Sequence, residues 1–141
     1  MSSQPPSPHE PTLIGKVFAL REVRPFDRLS DGELTLLAET ARPLAYAPAA
    51  QVHVGGVPLN RLLVVVGGKV RDGSGRPAGP ILGVSSLLNR APSQPLAADP
   101  SEGARLLEIS GRHFFTLAKE CPGFVLGLLE LGECGVREGA P

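Results

Sequence analysis

Between Leu44 and Val70 the chain breaks into short strand-like runs separated by tight turns, and this rhythm limits the architecture more than any other feature. Leu44 leads to Tyr46-Ala47-Pro48, Gln51–Val54 follows, and Gly55-Gly56 makes a turn. The run Leu62–Val66 is apolar at every position and rich in β-branched residues, and Gly67-Gly68 closes it. Five apolar residues make a buried strand and fall far short of a membrane span. A helix precedes this region. Ser30 and Glu33 have capping-box spacing, Leu34, Leu37, Ala38 and Ala41 recur on one helical face, and Pro43 stops the pattern.

Beyond Val70, Asp72-Gly73-Ser74-Gly75 and Asp99-Pro100-Ser101-Glu102-Gly103 read as hairpin turns. A strand over Arg105–Ile109 then passes into a helix capped by Ser110, with Phe114, Leu117 and Ala118 as its apolar stripe. The expected class is α+β: a β-roll or jelly-roll sandwich of the double-stranded β-helix type, flanked by a leading helix and C-terminal helices. Residues 13–134 form the domain. Residues 1–12, with four prolines in Met1–Pro11, and residues 135–141 read as flexible tails.

The last helical segment breaks the one-stripe rule. After Pro122, six of the eight residues Phe124–Leu131 are large and apolar: Phe124, Val125, Leu126, Leu128, Leu129 and Leu131. One face cannot hold them all. These six are therefore the candidate interaction residues, covered by a second copy or another protein, unless the segment folds back into its own domain.

In 141 residues, 14 Lys plus Arg balance 14 Asp plus Glu. Zero net charge gives no broad electrostatic reason to bind nucleic acid or an anionic membrane, and five Phe, one Tyr and no Trp make a poor base-stacking surface. Two cysteines do not make a disulfide framework. On one helix Cys121 and Cys134 would stand roughly 20 Å apart, too far for a bridge. No charged leader with an apolar core is visible, so the expected compartment is the cytoplasm.

Catalytic and cofactor motifs fail on spacing. Gly73-x-Gly75 with Gly79 lacks the dinucleotide-loop spacing and is followed by Pro77 and Pro80 rather than by a helix. Gly83-Val84-Ser85 begins like a nucleophile elbow, but Leu87 stands where the second glycine is needed. His9, His53 and His113 have no ligand spacing, and no pair of carboxylates has an apolar setting. The chain is expected to be neither an enzyme nor a holder of a metal or cofactor.

The segment Ile81–Pro95 adds a resemblance. Ile81-Leu82-Gly83, Leu87-Leu88 and Arg90-Ala91-Pro92 are similar to the phosphate-binding cassette of the cyclic-nucleotide-binding domain family. Phe26 with Leu29-Ser30 and Glu33-Leu34, Tyr46-Ala47-Pro48, Arg61–Val66 with Gly68-Lys69-Val70, and Arg105–Ser110 with Phe114 resemble its other elements in order, over about Val23–Leu131. The resemblance implies a β-roll sensor domain of the Crp/Fnr type. The chain departs from it in places: Val84 stands where the family has a ribose-binding Glu, Ser93-Gln94-Pro95 replaces its Arg-Ser/Thr-Ala, and Ala49-Ala50 replaces the Gly-Glu that follows its Tyr-x-Pro. Losing two charge-assisted partners would remove on the order of 3–6 kcal/mol of binding. The Gly68–Gly83 connection is also short for the family, as if a strand were shortened or lost.

The resulting expectation is a degenerate, non-catalytic regulatory or protein-interaction module of a bacterial signalling or assembly system, with cyclic nucleotide an unexpected ligand. The residual cassette positions are Gly83, Val84, Ser85, Ser86, Arg90, Ser93 and Gln94. The alternative is a sensor that binds a cyclic nucleotide or another anion weakly there, on the amides of Val84, Ser85 and Ser86 with Ser93 and Arg90. Family members often carry a DNA-reading domain after the sensor. The ten residues after Leu131 cannot supply one, so no direct nucleic-acid contact is expected.

Overall fold

A computed structural model describes residues 12–24 and 26–128. Helix α1 (Leu13–Arg21) opens the described chain, capped by the Thr12 hydroxyl, which accepts from the Gly15 amide at 3.0 Å. The sequence pattern alone does not predict a helix here. The apolar residues of α1 do not share one face: Leu20 is buried while Leu13, Ile14 and Phe18 are exposed.

A 3-10 turn (Phe26–Arg28) leads into α2 (Asp31–Thr40), whose capping box is complete, Ser30 accepting from the Glu33 amide at 3.1 Å and the Glu33 carboxylate accepting from the Ser30 amide at 2.9 Å. Eight strands follow, interrupted by α3 (Val84–Asn89): β1 (Arg42–Tyr46), β2 (Gln51–His53), β3 (Arg61–Gly68), β4 (Val70–Asp72), β5 (Pro77–Ala78), β6 (Ile81–Leu82), β7 (Leu96–Ala98) and β8 (Ala104–Ser110). They form two antiparallel four-stranded sheets, β1-β8-β3-β6 and β2-β7-β4-β5. The short connection keeps its strands at reduced length, two residues each in β5 and β6. Helix α4 (Gly111–Glu120) is capped by Ser110, and residues 122–128 form α5.

The run Leu62–Val66 is apolar at every position because β3 is central and covered on both faces. Leu62 and Val64 join the core under the helices with Leu20, Phe26, Leu34, Leu107, Ile109 and Phe114, while Leu63 joins Val52, Val70, Leu96 and Leu106 between the two sheets. The architecture is the α+β sandwich expected, with the helices gathered on the outer face of one sheet.

The turns are held by carboxylates. Asp99 accepts from the Ser101 and Glu102 amides, both at 2.9 Å, and pairs with Arg71 at 2.6 Å. These bonds, the Glu102 amide foremost, hold its pKa down to about 2. The loop before β8 is thereby fastened to β4.

Candidate functional site

Gly83 is where β6 turns into α3. Its φ of 101° is a left-handed conformation, and a Cβ there would be driven into the Arg61 carbonyl oxygen, so glycine is required on both counts. At the far end Arg90 is also left-handed, at φ 58°, with its amide bonded to the Ser86 carbonyl at 2.9 Å. The buried Ser86 hydroxyl donates to the Ala91 carbonyl at 2.6 Å and closes the turn from inside.

Ser93 is equally committed. Its amide donates to the Val57 carbonyl at 3.0 Å, its carbonyl accepts from the Gly56 amide at 2.9 Å, and its hydroxyl donates to the Gln94 carbonyl at 3.0 Å. The Gly55-Gly56 turn and the end of the cassette therefore brace each other. Val84 packs against the core beneath the helices, where an ionised side chain would have to be desolvated.

A cavity of about 220 Å³ lies between α3 and the second sheet. Gly83, Ser85, Ser86, Ser93 and Gln94 all line it; Val84 and Arg90 do not. Leu59, Leu82 and Leu96 supply apolar wall, and Asp72 is its one ionisable lining residue. Asp72 accepts from the Ser74 hydroxyl at 2.7 Å, the Ser74 amide at 2.9 Å and the Arg76 amide at 3.1 Å. These bonds, the Ser74 hydroxyl first, hold its carboxyl below the usual range, so it is charged at neutral pH. The sequence marks Asp72 only as a turn residue; its approach to the cassette is a long-range consequence of the sheet.

Arg61 does not stand ready to replace the arginine that Ser93 displaces. Arg61, whose carbonyl touches Gly83, donates through Nη1 to Glu108 at 2.5 Å and through Nη2 to the Val52 carbonyl at 3.1 Å. Burial alone would lower its pKa, but the bond to Glu108 and the Glu108 charge, with Tyr46 beside them, outweigh that and raise it.

The other candidates sit elsewhere. Phe124 and Leu128 are fully buried in this domain's own core, which removes them from any surface offered to a partner. Phe124 stacks on Phe26 with ring centroids 5.8 Å apart and meets Phe114 edge-on at 5.8 Å. Val125 is half-buried against the same cluster, and Leu126 is 62% exposed. Leu129 and Leu131 lie outside the described residues, as do His9, Cys134 and both tails except Thr12.

His53 bonds the Val57 carbonyl at 3.0 Å and His113 meets the Ser110 hydroxyl at 3.2 Å; among the described residues no cluster of three His, Cys, Asp or Glu could hold a metal. Cys121 is a buried free thiol pushed up in pKa, chiefly by burial and then by the charges of Glu33 and Glu120. Among the described residues no helix is long and apolar enough to cross a membrane.

No protein-family model matches the chain, and no curated protein matches it significantly. Solved structures do. A cyclic nucleotide-binding domain from Methylobacillus flagellatus superposes with a TM-score of 0.70 at 20% identity, over 89% of this chain and 79% of that one. The Thermus thermophilus catabolite activator protein gives 0.66 at 22% identity, over 80% of this chain and 58% of that one. The regulatory domain of Toxoplasma gondii PKA, solved with cAMP, gives 0.59 at 18% identity, over 72% and 42%. At these identities the likeness is one of fold, and the chain has the fold of cyclic nucleotide-binding domains.

Proposed function

We propose that this is a non-catalytic regulatory or protein-interaction module, cytoplasmic, whose cassette has been retained as scaffold and does not take a cyclic nucleotide in the usual way. The observation that carries this reading is the cavity at α3: its one ionisable lining residue is the charged Asp72, which repels a phosphate. Weak anion binding on the same positions is less favoured, because the Ser86 and Ser93 hydroxyls are spent inside the cassette and Arg90 is not on the cavity.

Calorimetric titration with cyclic AMP and cyclic GMP tests the reading. The expected result is no saturable heat up to millimolar nucleotide; micromolar or tighter binding of either would overturn it. Apolar side chains left exposed, Ile14 and Phe18 on α1 and Leu126 on α5, support an interaction role with a protein partner or a second copy.

A further inference from the structure

A second cavity, of about 250 Å³, lies between α1 and the outer face of the sheet at β1, β8 and β3. It has the charge that the cassette cavity lacks. Lys16 and Arg105 both line it, and no carboxylate does. Its walls are otherwise apolar, including Pro43 and Val66, and on α1 the small residues Gly15 and Ala19 leave it open.

The two cations are held in different ways. Lys16 donates from its ammonium to the Ala41 carbonyl at 2.9 Å and the Ala38 carbonyl at 3.4 Å, where α2 ends; of its three protons this leaves one. The Arg105 guanidinium makes no hydrogen bond or ion pair among the described residues. Glu102, which borders an adjacent hollow with Arg105, does not pair with it. Arg105 lies across Gly67, its register partner on β3, so closely that any Cβ at Gly67 would collide with the guanidinium. Its planar fork is therefore laid along the sheet surface with its donors unspent.

We propose that this cavity is a ligand site for a small carboxylate carrying an apolar tail, the carboxylate meeting Arg105 and the free proton of Lys16 and the tail entering between Pro43, Val66 and α1. A guanidinium fork matches a carboxylate in two parallel bonds, and the cavity volume limits the tail to a short chain. The site is separate from the cassette and independent of how the cassette is read.

The probe is octanoate, titrated calorimetrically against the full chain, with octanamide as the uncharged analogue. Saturable octanoate binding is expected, at least about tenfold weaker for octanamide and for Arg105→Gln, since a charge-assisted bond is lost in each. Ala19→Phe, which fills the cavity and leaves both cations, is expected to abolish binding. Amide chemical shifts on octanoate addition should move at Gly15–Ala19 and at Arg105, which keeps the proposal testable if Ala19→Phe does not fold. The proposal is overturned if octanoate shows no saturable binding at millimolar concentration, if Arg105→Gln binds as the wild type does, if acetate binds as tightly as octanoate, or if the shifts map elsewhere.

Discussion

The cassette at α3 and the helix α5 are the two segments whose composition most suggests contact with something outside the domain, and each turns part of its distinctive set inward. At α3 the polar groups are consumed locally: Ser86 closes the turn on Ala91 and Ser93 ties to Val57 and Gly56. At α5 Phe124 and Leu128 are absorbed by the domain itself, with Phe124 set between Phe26 and Phe114, while Leu126 stays in solvent. A pattern that resembles a binding motif can therefore persist because it serves the fold. Function has to be sought where groups remain unsatisfied, such as Arg105.

The comparison breaks first at Phe124. Phe124→Ala removes a fully buried ring from the aromatic cluster and is expected to cost ~3–5 kcal/mol in urea unfolding. A loss below ~1 kcal/mol would mean that α5 is not anchored in this core. Next is Gly83→Ala, expected to cost ~1–3 kcal/mol through a left-handed backbone and a clash with the Arg61 carbonyl. An unchanged stability would show that the turn into α3 is not fixed as described.

Acid titration probes the loops that bracket the cassette. Asp99 has a folded pKa of about 2, below its unfolded value, so its stabilising contribution is present above about pH 4 and is lost as pH falls from there toward 2. Asp72, also lowered, acts in the same direction. Thermal melts should show the midpoint falling through that window, with a shallower fall in Asp99→Asn; parallel curves for the two proteins would contradict the assignment.

The smallest effect is expected at Leu126. Leu126→Glu should change stability by no more than ~0.5 kcal/mol, because the side chain is already in solvent. If the wild type self-associates through α5, the same variant lowers its molar mass in light scattering; unchanged mass in an associating wild type moves the interface elsewhere.

Local signals made much of the fold legible. Ser30 with Glu33, Ser110, the apolar Leu62–Val66 run and Gly83 each meet a backbone requirement within a few residues, and each reads correctly. Helix α1 did not, because Ile14 and Phe18 point away from the face that carries Leu13, Val17 and Leu20; that spacing and Thr12 as an N-cap were the signals available. The fate of α5 was equally hidden. Six apolar residues in eight demand cover, but whether it comes from Phe26 and Phe114 or from another chain depends on contacts about a hundred and about ten residues away. The charge of the α3 cavity also depends on tertiary placement, since Asp72 belongs to a hairpin turn in sequence and reaches the cassette only when the second sheet closes.

Whether the cassette is scaffold without its ligand is measured most directly by calorimetric titration of the full chain with cyclic AMP beside an Asp72→Asn variant. No saturable binding to the wild type up to millimolar nucleotide is the result expected. Micromolar binding to the wild type, undiminished by the charge at Asp72, would contradict it.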